Sequence, residues 1–179
     1  MNKTSILCCL TLAGVAAAQD FSVAKRQSVN FEPPPITSVY RGRPSPVELQ
    51  FRINSGYHIN SHAPKQEYLK KTELKMDPPT DIAIEKVSYP AGEDRSFPFA
   101  PEEKLSVYTG DFVVNVTVRP LKTVVPAKYA VHGTLRYQAC DNAACYPPKQ
   151  LPIRFEVKVL KAPAEHKKRN PAQSPARHG

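Results

Sequence analysis

The feature that most constrains this chain is a short segment that carries two cysteines between two strand-like stretches. Cys140 and Cys145 are separated by four residues. Residues 130–138 before them and residues 151–160 after them have the alternating, β-branched character of strands. The sequence therefore predicts a hairpin with one thiol on each arm. Cα atoms that face each other across a hairpin lie near the separation of about 5.5 Å that a disulfide needs, so the two cysteines can pair.

Such a disulfide either braces the fold or takes part in chemistry. In the chain-entropy account, closing a ring of this size stabilises a protein by only about 2 kcal/mol, against nearly 5 kcal/mol for a loop of roughly a hundred residues. A structural disulfide stabilises a fold most when it joins segments that are distant in the sequence, and this one joins near neighbours. The size of the ring therefore favours an exchange-active disulfide, and an inert structural bond remains the alternative.

The rest of the chain predicts an all-β domain. Apolar and polar residues alternate in five segments, which are residues 47–53, 82–87, 112–118, 129–137 and 153–159. The 19 prolines and the absence of tryptophan and of helical periodicity favour many short strands with stiff connections. We therefore expect an antiparallel β-sandwich with the immunoglobulin-like arrangement.

The N-terminus reads as a secretory signal peptide over residues 1–18. Lys3 provides the positive start, residues 6–18 form an uncharged run, and Ala16, Ala17 and Ala18 offer small residues for cleavage. The run is too short to cross a bilayer, which takes about 20 residues. Cys8 and Cys9 would leave with this segment. Export to an oxidising compartment, with one remaining pair of cysteines, agrees with a persistent disulfide.

We expect four regions along the chain: the signal peptide, a proline-rich leader over residues 19–35, a single domain over residues 36–160, and a disordered basic tail over residues 161–179. The chain has 25 lysine and arginine residues against 16 acidic ones, and part of the excess lies in the tail. Nucleic-acid binding is not expected, because an exported chain without an aromatic and basic face lacks the required surface. No segment of the mature chain is apolar enough to span a membrane.

The cysteine segment resembles a known site. Residues Tyr137-Gln138-Ala139-Cys140, followed by four residues to Cys145 and then by Tyr146-Pro147-Pro148, are similar to the active-site hairpin of the N-terminal periplasmic domain of the thiol:disulfide interchange protein DsbD family. Further similarity lies at residues 56–60, 72–74, 87–90 and 105–110. It extends over about residues 28–160. The resemblance implies an immunoglobulin-like domain with an active-site hairpin and a cap loop.

The resemblance also implies roles for particular residues. Cys145 would form the mixed disulfide with a partner protein, and Cys140 would resolve it. The segment 96–101 lies where the family has a cap loop, so Phe97 and Phe99 are both candidates for shielding the cysteines. Asp141 adjoins Cys140 and should discourage a second negative charge there, so we expect no strongly acidified thiolate.

Several residues are expected to flank the site without a defined chemical role. Tyr57, His58 and Asn60 correspond to an aromatic-rich strand end beside the family's cysteines, where the histidine departs from the family's tyrosine. Tyr146 begins the rigid exit after Cys145. A zinc site built from His58, His62 and the two cysteines is the alternative, but the order and separation of these residues fit no zinc module, so we expect neither metal nor cofactor.

The function implied is a periplasmic redox relay of the protein-disulfide reductase type. Members of the family add a membrane domain and a thioredoxin-like domain that this sequence lacks. We therefore expect a monomer that exchanges electrons with separate proteins, which are thioredoxin-fold or membrane-embedded thiol reductants and oxidised periplasmic clients. The alternative is an exported immunoglobulin-like binding module with a purely structural disulfide.

Overall fold

The structure is a computed structural model that describes residues 27–162. Twelve strands make up this region: β1 (Val29–Glu32), β2 (Thr37–Tyr40), β3 (Ser45–Ile53), β4 (His58–Asn60), β5 (Glu73–Asp77), β6 (Ile82–Ser88), β7 (Glu93–Phe97), β8 (Ala100–Tyr108), β9 (Asp111–Pro120), β10 (Lys128–Tyr137), β11 (Ala139–Cys140) and β12 (Lys149–Leu160). The predicted signal peptide, the first part of the leader and nearly all of the basic tail lie outside the described residues.

The strands form three sheets of four strands each. Their orders are β1-β3-β9-β6, β2-β12-β10-β5 and β11-β4-β8-β7. The first two sheets contain the five segments that alternate in the sequence, and their inward side chains form one core that includes Phe51, Val116, Leu135 and Phe155. This arrangement confirms the predicted all-β fold, an immunoglobulin-like β-sandwich.

One pairing departs from the antiparallel expectation. β2 runs parallel to β12, with Val39 opposite Val159, while every other strand pairing in the described residues is antiparallel. Because a long stretch of chain connects β2 to β12, the two strands can pair either parallel or antiparallel.

The first sheet begins inside the segment that the sequence assigns to the leader. β1 pairs with β3 from Val29 to Glu32, and Val29 is fully buried. Phe31 packs its ring on Phe51 at 5.3 Å between centroids. The prolines at 33–35 thus separate two strands of the domain and do not precede it, because proline interrupts a strand without ending the domain.

The third sheet carries the cysteine segment on its outer side. Side chains alternate between the two faces of a strand, so Ile59 of β4 and Ala139 of β11 point into the core, whereas His58 and Cys140 point away from it. Cys140 does not belong to the long strand β10. It lies instead in the separate short strand β11, because the chain passes from the second sheet to the third at Gln138.

The predicted cap loop is a hairpin. Phe97 is the last residue of β7 and Ala100 is the first residue of β8, so only Pro98 and Phe99 form the turn. Four of the six residues in the segment 96–101, which was expected to be a loop, therefore lie in strands. β7 and β8 together are called the cap hairpin below.

The cap hairpin approaches the chain after β4 closely. A Cβ atom on Gly92 would lie 2.7 Å from the Cβ atom of Ser61, which no real pair of such atoms tolerates. Ser61 also shares a hydrogen bond of 2.9 Å with Ser106 of β8. Glycine at position 92 thus allows β7 to start directly beside the segment that carries His58.

Candidate functional site

The two cysteines form a disulfide at the tip of the β10–β12 hairpin. The Cα atoms of Cys140 and Cys145 are 3.9 Å apart, and the two residues form an isolated antiparallel bridge. The amide of Asp141 donates to the carbonyl of Ala144, and the amide of Tyr146 donates to the carbonyl of Ala139. The bond therefore closes a tight turn that backbone hydrogen bonds already hold.

The sulfurs have unequal surroundings. Cys140 is fully buried, whereas Cys145 is partly exposed. The cause is the topology: Cys140 lies in β11 of the third sheet, where it pairs with His58 of β4, and Cys145 lies on the outer arm of the turn. Of the two cysteine residues, only Cys145 is reached by solvent in this structure.

Asp141 organises the turn between the cysteines. Its Oδ1 accepts hydrogen bonds from the amides of Ala143 and Ala144 at 2.8 and 3.0 Å, and the Tyr146 hydroxyl donates to its Oδ2. These bonds, with the Tyr146 hydroxyl first, lower the pKa of Asp141, and the same carboxylate raises the pKa of Tyr146. The structure thus places Asp141 as a turn-forming residue, held by the tyrosine that follows Cys145.

Tyr57 and Asn60, both expected beside the site, lie beside it; Tyr57 makes a ring contact there, and Asn60 makes buried hydrogen bonds. The ring of Tyr57 meets the ring of Tyr146 edge-on at 6.1 Å between centroids. Asn60 is fully buried, and its Nδ2 donates to the carbonyl of Lys70 at 3.0 Å and to Oε1 of Gln138 at 3.2 Å. Both residues support the hairpin tip.

Gln138, two residues before Cys140, is a further site residue, for which the sequence predicted no role. Its Oε1 accepts from Asn60 and from the amide of Lys70, and its Nε2 donates to the carbonyl of Tyr146 at 3.2 Å. It therefore ties the third sheet, the segment after β4 and the exit from Cys145 together. The feature of the sequence that could have indicated this role is a polar residue between Tyr137 and Ala139, two positions before Cys140.

His58 lies directly opposite Cys140 in the β4–β11 pairing and is 3% exposed. Its Nε2 has no hydrogen-bond partner among the described residues. Burial lowers the pKa of His58 to about 4, Asp141 opposes that shift, and Arg95 adds to it. His58 is therefore a neutral imidazole next to the buried cysteine.

The two phenylalanines of the cap hairpin stack on this histidine. The rings of His58 and Phe97 lie 3.7 Å apart between centroids at an interplanar angle of 11°, and Phe97 and Phe99 lie 5.6 Å apart at 9°. Three nearly parallel rings thus lead from the strand beside Cys140 to the tip of the cap hairpin. Phe97 is half-buried, and Phe99 is 36% exposed.

Cys145 opens into a groove beside the cap hairpin. The groove has a volume of about 420 Å³, and its lining includes Tyr68, Phe99, Glu103, Leu105 and Cys145. The Tyr68 hydroxyl donates to Glu103 at 2.6 Å across the groove, and the Tyr68 side chain is 63% exposed. Tyr68 and Glu103 have no signal in the sequence, because they join the site only through folding. This groove is called the Cys145 groove below.

The described residues contain no group of three or more histidine, cysteine, aspartate or glutamate side chains that could hold a metal ion. His62 stacks on Tyr89 at 3.7 Å, and its Nδ1 lies 2.9 Å from the carbonyl oxygen of Thr72. Over residues 27–162, no helix is long and apolar enough to cross a membrane.

Known structures resemble this chain at low identity. The N-terminal domain of DsbD from Neisseria meningitidis, in its reduced form, is 23% identical, with a TM-score of 0.40, and the match covers 62% of this chain and 76% of that one. A family 123 glycoside hydrolase from Clostridium perfringens is 15% identical, with a TM-score of 0.35, over 70% of this chain and 22% of that one. A PapD-like domain of human CEP192 is 10% identical, with a TM-score of 0.35, over 90% of this chain and 100% of that one.

A comparison with curated proteins finds no match. A comparison with protein families matches residues 28–156, a stretch that runs from just before β1 into β12 and contains both cysteines. With this match over most of its length, the chain belongs to the family described as the N-terminal part of the thiol:disulfide interchange protein DsbD.

Proposed function

We propose that this protein relays reducing equivalents in the periplasm by thiol–disulfide exchange through Cys140 and Cys145. In the reduced protein, the Cys145 thiolate attacks a partner's disulfide, and one partner sulfur leaves as a thiolate. Cys140 then attacks the Cys145 sulfur and expels the second partner sulfur. The cysteine pair loses two electrons, and the partner's disulfide gains them. A thiol reductant of the thioredoxin-fold or membrane-embedded type restores the pair by the reverse steps.

The observation that carries this proposal is the unequal burial of the two sulfurs. A relay needs one accessible nucleophile and one protected neighbour that resolves the mixed disulfide. Cys145 is partly exposed at the edge of a groove, and Cys140 is fully buried behind it. The small ring adds support, because a bond between residues five positions apart constrains the unfolded chain only weakly.

The Cys145 groove supports docking of a protein partner. Its exposed rim carries Tyr68 and Phe99, and Tyr146 lies beside the disulfide at 39% exposed. Clusters of exposed aromatic side chains are typical of protein interaction surfaces. An oxidised client or a thioredoxin-fold reductant would contact these rings as its sulfur reaches Cys145.

The test compares two single-cysteine variants in the exporting host. Cys140→Ala leaves the accessible nucleophile without its resolving partner, so mixed disulfides with thioredoxin-fold proteins should accumulate. Cys145→Ala is the matched control and should accumulate none, because its remaining sulfur is buried. The complexes are counted on non-reducing gels and identified after reduction.

The opposite pattern, with complexes only in Cys145→Ala, would reverse the two roles. No complexes from either variant would contradict the relay and favour the binding module with a structural disulfide.

A further inference from the structure

His58 is a buried titratable group that the exchange steps described above do not use. It is 3% exposed, and its Nε2 has no hydrogen-bond partner among the described residues. Leaving a buried polar atom unpaired costs about 1–3 kcal/mol, so such an atom calls for an explanation. In the oxidised protein, which this structure represents, its strand partner Cys140 is bonded to Cys145 and has no thiol proton to donate.

The strand register places the imidazole and the buried sulfur side by side. His58 and Cys140 are direct partners in the antiparallel β4–β11 pairing, and Cys140 and Cys145 are partners in the next bridge. Side chains that face each other in such pairs lie on one face of the sheet with Cβ atoms about 4.5–5.5 Å apart. His58, Cys140 and Cys145 thus form one row, with the histidine on the buried side.

We propose that His58 accepts the proton of the Cys140 thiol when Cys140 resolves a mixed disulfide. The tautomer that carries its proton on Nδ1 leaves Nε2 free to accept one. The Cys140 sulfur gives its proton to Nε2 and bonds to the Cys145 sulfur. The bond between Cys145 and the partner breaks, and its electron pair leaves on the partner sulfur, which receives the proton from the imidazolium. The inference rests on the proposed function in that Cys140 is the resolving cysteine.

Among the charged and titratable groups near Cys140, His58 is the one that is free to act as a base. Asp141, the carboxylate adjacent to Cys140, already accepts hydrogen bonds from two amides and from Tyr146. The charged groups that act on His58 are Asp141, which favours its protonation, and Arg95, which opposes it and is paired with Glu93. A buried thiol ionises reluctantly, so a neighbouring base matters more here than at an exposed cysteine.

Its low pKa makes His58 a weak base in the oxidised protein, so the role depends on the charge that Cys140 acquires in the reduced protein. The imidazole is neutral in the oxidised protein. When Cys140 loses its proton, the adjacent thiolate is an opposite charge that favours the imidazolium, so the two groups titrate as a pair. Phe97 stacks on one face of the imidazole and so shields it from water.

The first experiment titrates Cys140 alone. In the Cys145→Ala protein, the ultraviolet absorbance of the thiolate reports the pKa of Cys140. Adding His58→Phe keeps a ring against Phe97 but removes the nitrogen, and it should raise the pKa of Cys140 by at least about one pH unit. His62→Phe is the matched control, because His62 also stacks on an aromatic ring, that of Tyr89. It should leave the titration unchanged.

The second experiment follows the resolving step. Reduced protein with both cysteines reacts with Ellman's reagent, and Cys140 then releases the second coloured 5-thio-2-nitrobenzoate from Cys145. His58→Phe should slow this second release roughly 100-fold at neutral pH, the lower end of the range for a positioned base. If the phenylalanine variant does not fold, His58→Gln provides the same loss of a titrating base.

The outcomes separate the two proposals. An unchanged pKa of Cys140 and an unchanged second release in the His58 variants would overturn the role of His58 and leave the relay intact. A protein with histidine at position 58 that never releases the second equivalent would contradict the relay itself. The titration of Cys140 would still decide whether His58 acts on its thiol.

Discussion

At the scale of the residue, the two bonded cysteines are direct neighbours but have very different surroundings. Cys140 faces a neutral imidazole and is closed off from solvent, whereas Cys145 faces the Cys145 groove. The asymmetry arises because Cys140 lies between His58 of β4 and Cys145, whereas Cys145 is on the outer arm of the turn. A Cys-x4-Cys spacing by itself does not contain this information.

His58 also makes the stability of the domain depend on pH. Its pKa in the folded protein is about 4, below the value of about 6.5 in an unfolded chain, so between these values the unfolded chain binds the proton and the folded one does not. This contribution is fully present above pH 6.5 and is lost as pH falls toward 4. From pH 7 to pH 5 we expect the free energy of unfolding to fall by about 2 kcal/mol on account of His58.

Urea unfolding at both pH values measures this difference, and His58→Phe provides the comparison, because phenylalanine does not titrate. The variant should lose less stability than the unchanged protein over the same interval. Equal losses in the two proteins would mean that His58 has the same pKa in the folded protein as in the unfolded chain.

At the scale of the element, the cap hairpin connects the disulfide strand to the groove. Phe97 stacks on His58, and Phe99 lines the groove that Cys145 opens into. The register of the β7–β8 pairing changes between Arg95 and Phe97, and such irregularities re-aim side chains. The hairpin thus carries two rings to one site although the first three residues of β7, Glu93, Asp94 and Arg95, are charged and exposed.

Replacing both Phe97 and Phe99 by alanine should speed alkylation of the reduced protein. Each aromatic pair contributes about 0.5–1.5 kcal/mol, and losing about 1.4 kcal/mol of shielding corresponds to roughly a tenfold faster rate. The reaction with iodoacetamide is followed by mass spectrometry. Tyr40→Ala is the control, because Tyr40 is similarly exposed but lies in β2 of another sheet. An unchanged rate in the double variant would assign the rings to packing alone.

At the scale of the whole molecule, the sandwich serves as a rigid base for one hairpin tip. β10 and β12 pair over ten residues from Lys128 to Tyr137, and the tip that carries the disulfide extends beyond this pairing to meet the third sheet. The first two sheets supply most of the core, and the third sheet supplies the residues around the cysteines. Stability and the candidate chemistry are therefore largely assigned to different sheets.

The sequence predicted the large sheets better than the third one. The five alternating segments all lie in β3, β6, β9, β10 and β12, because strands with one buried face alternate strictly. β4 and β11 have three and two residues, too few for any period, and β7 is charged over Glu93, Asp94 and Arg95. These strands exist through pairing with distant segments, which local sequence does not encode.

The same limit applies to the site. The spacing of Cys140 and Cys145 was sufficient to predict their disulfide, since the contact is local. The position of His58 opposite Cys140 depends on a pairing between strands about eighty residues apart, and the groove contact of Tyr68 with Glu103 spans 35 residues. Burial of His58 follows from the cap hairpin, so its unpartnered nitrogen was not foreseeable from its neighbours in the sequence.

The reduction potential of the Cys140–Cys145 disulfide shows most directly whether this bond is exchange-active or purely structural. The protein is equilibrated with dithiothreitol buffers of defined potential, and the free thiols are counted after alkylation. An exchange-active pair should have a potential less negative than about −300 mV, within reach of thioredoxin-fold partners. A potential well below about −300 mV, the range of inert structural disulfides, would contradict the relay.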